Sequence, residues 1–271
     1  MAEELTAGNI FDIQGFSVHD GPGCRTLVFF KGCTLQCPWC ANPEGIYPFP
    51  EPLYQAQNCT LDQYCVSACP NQAITVQNEI IRIDRTMCTT CEVQVCVSAC
   101  LTGALKTAGY SISIDDLFTK ITRDRQYWGP DGGVTLTGGE PFAQPEFAER
   151  LLKRCYEAYI HTAVETCGNV PWSSIARSLP YLDWIFFDLK IMIPERAGPS
   201  AIHRRAFNQI KMNARELTKD FSGKIVFRMP VIPDINDDLE NIRAIAEFIQ
   251  ETGHHDINIL PGHHLGREKY A

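Results

Sequence analysis

The sequence predicts an α/β fold: a six-stranded partial (βα)6 barrel that carries a cysteine-rich insert after its first strand. Three observations lead there. From residue 109 onward, short apolar runs alternate with amphipathic segments, the pattern of parallel βα units joined by right-handed crossovers. One further buried-strand run, Thr26–Lys31 (TLVFFK), stands upstream. Eleven of the thirteen cysteines lie between Cys24 and Cys100, which sets that stretch apart in composition. Six strands are too few for a closed eight-stranded barrel. Residues 1–47 and 109–271 are therefore assigned to the barrel and 48–108 to the insert.

Taken in order, residues 8–47 are dense in glycine, and Thr26–Lys31 is the one run there read as a strand. The insert opens on the proline-rich YPFPEP and holds seven cysteines, with short β-like runs (AITVQ, IIRID) between them. Later strands are expected at Gly133–Thr137, Thr162–Glu165, Trp184–Asp188, Lys224–Met229 and Asp256–Leu260. Helices are expected at Ile114–Tyr127, Glu146–Ala158, Trp172–Leu179, near 204–219, and at Asp237–Glu251. Asp237 or Asp238 can cap the last, whose apolar stripe reads Ile242, Ile245, Ala246 and Ile249.

Composition narrows the function. A chain of 271 residues, 45% apolar and 21% charged, can bury a large core and is not disordered. A net charge of −8 argues against a nucleic-acid partner. No apolar run approaches the roughly 20 residues of a membrane span, and MAEELTAGNIFDIQ lacks the features of a secretory signal. The expectation is a cytoplasmic protein with no membrane partner. In that compartment thiols stay reduced, so clustered cysteines point to metal rather than to a disulfide framework.

Cys33-x3-Cys37-x2-Cys40 follows the first strand directly. Three thiolates hold three irons of a cubane and leave the fourth iron open to a small molecule. The alternatives are a structural zinc, for which no histidine lies between Cys33 and Cys40, or three unrelated buried thiols. Polar groups also gather at the ends of the later strands: Gly138-Gly139-Glu140-Pro141, Glu165-Thr166, Asp188-Leu189-Lys190, Arg228 and His263. In a βα barrel this rim is where sites are built. Singly, each could be a turn glycine, a surface acid or a strand-end ion pair. Gly21-Pro22-Gly23 could be a tight turn. Cys24, Cys155 and Cys167 read as small buried apolar residues, and His254, His255 and His264 as surface histidines.

CTLQCPWCAN resembles the signature of the radical S-adenosylmethionine (SAM) enzymes, and FSVHDGPGCRTLVFFKGC (Phe16–Cys33) resembles the entry segment of the activating enzymes of glycyl radical enzymes. Across FDIQGFSVHDGPGCRT, the two cysteine groups, RQYWGPDGGVTLTGGEPF and INILPGHHLG, the chain is most similar to the subgroup that activates 4-hydroxyphenylacetate decarboxylase. The resemblance implies a radical SAM barrel in which Cys33, Cys37 and Cys40 hold a 4Fe-4S cluster. That cluster cleaves SAM reductively to a 5′-deoxyadenosyl radical, which abstracts a hydrogen from a glycine of the partner, an arylacetate decarboxylase. Gly138, Gly139 and Glu140 would receive the methionine amino group, with Glu140 assisting as an anion. Asp188, Leu189 and Lys190 would hold the carboxylate and ribose side, with Arg228 nearby. His263, in the family's His-x-Leu-Gly pattern, would lie near the adenosyl group, and Trp39, Cys40 and Ala41 beside the adenine. Gly21–Gly23 would lie near the incoming glycine loop.

In the insert, Cys59-x5-Cys65-x3-Cys69-Pro70 precedes Cys88-x2-Cys91-x4-Cys96-x3-Cys100. In a two-cluster ferredoxin the fourth cysteine of each group ligates the other cluster. Crossing the groups predicts a ferredoxin-like domain with one cubane on Cys88, Cys91, Cys96 and Cys69. The second has Cys59, Cys65 and Cys100 and is one thiolate short of the family's eight. Asp62, at the x2 position after Cys59 where the family pattern has a cysteine, is the candidate to complete it; otherwise the cluster is a three-iron species or absent. A zinc-ribbon insert is the other option. These clusters would relay electrons from a flavodoxin or ferredoxin, or help dock the target. The alternatives in function are activation of another glycyl radical enzyme (choline lyase or glycerol dehydratase type), radical chemistry on a small molecule, or a non-enzymatic iron–sulfur electron carrier. Two departures from the family are expected to matter: Pro194–Asn213 lacks a Thr-Gly step before Asn208, and the chain stops at Ala271, soon after HHLG.

Overall fold

The computed structural model describes residues 7–89, 91, 93–193 and 201–262, the side chains of 201–205 excepted. Its centre is an eight-stranded sheet. The first strands are β1 (Ala7–Ser17) and β2 (Arg25–Phe30). The insert contributes β3 (Glu51–Tyr54), β4 (Ile74–Gln77), β5 (Ile80–Ile83) and β6 (Leu105–Ala108). Then follow β7 (Tyr110–Ser113), β8 (Gly133–Gly138), β9 (His161–Thr166), β10 (Trp184–Asp188), β11 (Lys224–Val231) and β12 (Asn258–Pro261). The sheet order is β12-β11-β10-β9-β8-β2-β1-β7. From β2 to β12 every neighbouring pair is parallel, which makes the six parallel strands that the sequence predicts. β1 and β7 extend the sheet antiparallel beyond β2.

β1 is a correction, since residues 8–47 were read as holding one strand. Only Gly8 and Ile10 of its eleven residues are buried, so it carries no apolar run. Its pairing with β2, Ile10 opposite Phe30 and Ile13 opposite Val28, makes it a strand.

Two one-turn helices lie in the insert, α1 (Tyr64–Ala68) and α2 (Val95–Ser98). Five more cover one face of the sheet: α3 (Ile114–Ile121), α4 (Pro145–Glu157), α5 (Trp172–Ala176), α6 (Ala201–Asp220) and α7 (Leu239–Glu251). α3 stops six residues before the predicted end and continues as a 3-10 turn, Thr122–Tyr127. α5 ends at Ala176, three residues short of the expected Leu179, which instead opens a 3-10 turn, Leu179–Tyr181, with Pro180 in its first positions. Asp238 caps α7, accepting from the backbone N–H groups of Glu240 and Asn241. The buried stripe of α7 is Asn241, Ile245, Phe248 and Ile249, with Ile242 half-buried; Ala246 faces solvent, against expectation.

The main core lies between these helices and the sheet. Val28, Phe30, Val134, Leu136, Val164, Ile185, Phe187, Phe227 and Met229 from the strands meet Leu117, Leu151, Leu152, Ile175, Leu217, Ile245 and Phe248 from the helices. Because strand side chains alternate, Thr135, Thr137, Glu165, Asp188 and Arg228 stand on the opposite face of the sheet. The fold therefore sends polar groups to one side of a sheet whose other side is packed dry.

β3 and β6 pair antiparallel and close the insert, Glu51 opposite Ala108 and Tyr54 opposite Leu105; β4 and β5 form a hairpin. Lys31, at the end of β2, is fully buried; its Nζ donates to Glu44 O at 2.6 Å and pairs with Glu51 Oε1 at 3.1 Å. Glu51 Oε2 is 2.9 Å from Arg85 Nε. This chain of charges fastens the insert to the strand that leads into the Cys33 loop.

Candidate active site and cluster nests

β2 ends at Phe30, and the chain turns at once into the three-cysteine loop. The Cys33 N–H donates to Ile46 O at 2.9 Å, the Cys40 N–H to Cys37 O at 3.1 Å, and Thr34 Oγ1 to Asn169 O at 2.7 Å. Gln36 takes a positive φ of 49°, which turns the loop. Cys33, Cys37, Cys40 and Trp39 pack together around Leu35, with Cys167, Ala206 and Ile210. Burial pushes the Cys37 thiol up to about 12 and also raises Cys40. A hydrogen bond from Cys167 draws Cys33 down to about 7. Soft, buried thiols in one nest are the donor set that iron takes and that a hard cation does not. The Asn42 N–H lies 3.4 Å from Cys40 Sγ, the contact that stabilises a cluster thiolate.

Gly138 and Gly139 lie against this loop. Gly138 has φ +101°, and a Cβ there would sit 2.6 Å from Phe30 N. A Cβ on Gly139 would meet Gly32 O at 2.4 Å and Gly45 O at 2.5 Å. The N–H groups of Gly139 and Glu140 are used by Phe30 O and Gly32 O, which seats the segment on the loop. Gly139→Ala is thus expected to force the loop and this segment apart. SAM affinity should fall at least tenfold while the iron content of the remaining nests is retained; equilibrium binding and iron assay check this.

The Glu140 carboxylate does not face outward as its predicted role required. It is fully buried, and its oxygens accept from Thr166 Oγ1 (2.8 Å), Cys167 N (2.9 Å), Cys167 Sγ (3.1 Å) and Phe142 N (3.2 Å). Burial raises it toward the neutral form. Glu140 ties its own segment to the end of β9 and so fixes the backbone of Gly138 and Gly139. Cys167 is buried as expected but is not an inert apolar residue, since it bridges Glu140 and Cys33.

Across the polar face runs a chain of alternating charge. Thr137 Oγ1 donates to Glu165 Oε2 at 2.6 Å, and Arg228 Nη1 lies 2.5 Å from Glu165 Oε1. Arg228 Nε is 2.9 Å from Asp188 Oδ1, and Lys190 Nζ 2.7 Å from Asp188 Oδ2. Burial would raise Asp188, but Arg228 and Lys190 together hold it below its usual range. Burial would lower Lys190, but Asp188 and the Cys37 thiol hold it above the usual ammonium range. Lys190 therefore connects the thiol nest to Asp188. Glu165, with one cation to Asp188's two, is raised by burial. Leu189 is fully buried in the helix-side core, and its N–H donates to Arg228 O, so only its backbone serves the rim.

Gly21–Gly23 leads into Arg25, a fully buried arginine on the polar face. Its guanidinium donates to Thr135 Oγ1 (2.7 Å), Val134 O (2.7 Å), Pro22 O (3.0 Å) and His161 O (3.2 Å). Burial lowers its pKa to about 10. His254 is half-buried, edge-on to Phe227 at 5.2 Å, rather than a surface histidine; His255 is exposed. His263, His264, Ala271 and the start of Pro194–Asn213 lie outside the described residues. Asn213 itself is fully buried and donates from Nδ2 to Gly168 O and Val170 O at 2.7 Å each.

The insert gathers its thiols into two neighbouring nests. Cys69, Cys88, Cys91 and Cys96 line one cavity, with Pro52, Pro70, Ala73 and Ile74. Burial pushes Cys88 up to about 11, with Cys96, Cys69 and Cys91 as its charged neighbours and Glu51 beyond. This is the inner nest, beside the Lys31–Glu51 junction. Cys59 and Cys100 pack against buried Tyr54 and Cys65 to form the outer nest. Cys65 lies within electrostatic reach of Cys100 and Cys59. Cys69 of the first cysteine group thus lies with Cys88, Cys91 and Cys96 of the second. Asp62 is exposed; its carboxylate accepts from Thr60 Oγ1 (3.0 Å) and the Tyr64 N–H (3.1 Å). Among the described residues, no group of three or more His, Cys, Asp or Glu is gathered around a single metal-ion position.

Arg25, Tyr54 and Cys167 carry no signal in the sequence that marks them as site residues, whereas Glu165 stands with Thr166 among the polar strand-end groups expected at the rim.

The chain matches the radical SAM superfamily over residues 27–249. It is 42% identical over 273 residues to the indoleacetate decarboxylase activating enzyme of Tractidigestivibacter scatoligenes, covering 96% of this chain and 85% of that one. It is 40% identical over 280 residues to the isethionate sulfite-lyase activating enzyme of Nitratidesulfovibrio vulgaris, covering 100% and 89%. It is 39% identical over 273 residues to the 4-hydroxyphenylacetate decarboxylase activating enzyme of Clostridium scatologenes, covering 97% and 85%.

Proposed function

The chain belongs to the radical SAM superfamily and, within it, to the activating enzymes of glycyl radical enzymes, and from that premise we propose that it activates an arylacetate decarboxylase. The observation that carries the reading is the buried charged chain Glu165–Arg228–Asp188–Lys190 on the polar face, whose Lys190 lies within electrostatic reach of Cys37 in the Cys33–Cys40 nest. One buried network there offers metal-binding thiols, a cation and an anion side by side. SAM carries an ammonium, a carboxylate and a sulfonium and needs all three.

In this reading Cys33, Cys37 and Cys40 hold the 4Fe-4S cluster. Held there, the cluster would supply one electron to the SAM sulfonium, whose cleavage to methionine would leave a primary carbon radical able to take a hydrogen atom from a glycine Cα. The carbonyls of Gly138 and Gly139 accept from the methionine ammonium, and buried Glu140 keeps that backbone in place. Lys190 faces the carboxylate, and Asp188 the ribose hydroxyls. Arg228 fixes Asp188 from the far side and shares its charge with Glu165. Trp39 and Ala41 flank the adenine, with His263 near the adenosyl group. The Gly21–Gly23 segment, pinned by Arg25, borders the polar face across which the partner's glycine loop must enter. A dry, closed approach is required there, because an exposed carbon radical would be quenched.

The insert is read as a ferredoxin-like relay, its nests holding one or two further iron–sulfur clusters and receiving electrons from a flavodoxin or ferredoxin. Two of the relatives named above act for arylacetate decarboxylases, which favours that target over a sulfite-lyase.

Anaerobically reconstituted protein, reduced with dithionite and mixed with SAM, tests the reading against purified candidate partners. A glycyl-radical doublet in an arylacetate decarboxylase, with 5′-deoxyadenosine formed, is expected. A doublet in a sulfite-lyase alone would reassign the target. SAM left intact would leave only an electron carrier.

A further inference from the structure

All thirteen cysteines are described residues, so the thiols of the insert can be accounted for completely. Three serve the Cys33 loop and four the inner nest. Of the other six, Cys24 precedes β2, Cys155 is in the helix-side core, and Cys167 is on Glu140. Cys59, Cys65 and Cys100 remain, and no fourth thiol is left for the outer nest.

Two of these three are already in thiolate-stabilising surroundings. The Leu61 N–H points to Cys59 Sγ at 3.4 Å, and the Leu105 N–H to Cys100 Sγ at 3.3 Å. Asp62 is exposed and turned to its own helix, where both oxygens are engaged. The polar side chain inside the nest is Tyr54, which is 3% exposed and packed in one cluster with Cys59, Cys65 and Cys100. Burial raises the Tyr54 hydroxyl, and Cys59, packed against it, raises it further. Strand pairing fixes Tyr54 there: it is the last residue of β3, opposite Leu105, whose own N–H serves Cys100.

We propose that the outer nest is a three-iron site, in which Cys59, Cys65 and Cys100 supply the thiolates and the Tyr54 hydroxyl donates to Cys59 where a fourth ligand is lacking. The inference rests on the reading of the insert as an iron–sulfur domain. It gives the two nests different work. Loss of a hydrogen-bond donor or of an iron changes a cluster's reduction potential, so the two nests would not be equivalent stations. The inner nest, next to Glu51 and Lys31, is the one continuous with the Cys33 loop.

Iron and sulfide analysis with electron paramagnetic resonance on the full, anaerobically reconstituted chain tests this. The expected result is a three-iron signal in the oxidised protein and one iron fewer than three complete cubanes hold. Asp62→Ala leaves both unchanged. Tyr54→Phe keeps the three-iron signal but lowers its reduction potential, because a donor that stabilises the reduced cluster is gone. Tyr54→Cys adds a thiol inside the nest, removes the signal and raises the iron count by one. A full complement of cubanes in the parent protein overturns the inference, and conversion of that complement by Asp62→Ala would assign the ligand to Asp62. Iron in the Cys33 loop alone, or zinc in the insert, overturns the reading of the insert as well.

Discussion

Alanine in place of Cys37 is expected to bring 5′-deoxyadenosine formation down to the level of a no-enzyme control, with iron content falling by one cluster. Cys37 is the thiol that burial pushes up to about 12, and it packs with Leu35, Cys33 and Cys40. Leu35, Ala206 and Ile210 of that nest have no atom that could ligate iron in place of the lost sulfur. Cys37 also lies within electrostatic reach of Lys190, so binding of the SAM carboxylate is disturbed together with the metal. Cys155→Ala is the matched control. Cys155 is equally buried, in α4, but it touches only the helix-side core. That change should lower stability and leave iron, SAM cleavage and radical transfer intact. Product assay by chromatography beside iron determination separates the two variants. Retained cleavage in Cys37→Ala would contradict the assignment of the loop.

Glu51→Gln is expected to destabilise the protein by about 3–5 kcal/mol, the usual cost of leaving a buried charge uncompensated. Lys31 is 0% exposed and Glu51 1%, and burial shifts both toward their neutral forms: Lys31 down, Glu51 up. The pair is therefore held by its geometry against a desolvation cost, and its net contribution is small although the cost of breaking it is large. The double variant Lys31→Met, Glu51→Leu should recover most of the loss. Arg85, partly exposed, can then turn to water. Urea unfolding of the three proteins decides it; a double variant no more stable than Glu51→Gln would mean that the pair itself stabilises. The same experiment bears on function. Lys31 lies two residues from Cys33 and Glu51 borders the inner nest, so loosening this junction should slow reduction of the Cys33 cluster more than it changes SAM affinity.

The six parallel strands were legible because each is an apolar run with polar punctuation, and an alternating or continuous run needs no knowledge of its neighbours. β1 was not, because its conformation comes from pairing with β2 and not from its own composition. The cysteine loop was legible because three thiols at x3 and x2 spacing are one local unit. The failures fall where a side chain's direction matters. Glu140 and Asp62 were placed correctly along the chain, yet one carboxylate turns into the end of β9 and the other caps a helix turn. Spacing cannot report which hydrogen-bond donors a folded neighbour will offer.

The sequence alone determined the order of strands, the two classes of cysteine group and the family to which the chain belongs, since all three depend on the identity and spacing of nearby residues. The tertiary structure decided what faces what: Lys190 against Cys37, Arg228 between Glu165 and Asp188, Tyr54 against Cys59. Those contacts join residues tens to more than a hundred positions apart, or hang on which way one side chain turns, and only the packing of a dry core against one side of the sheet fixes them.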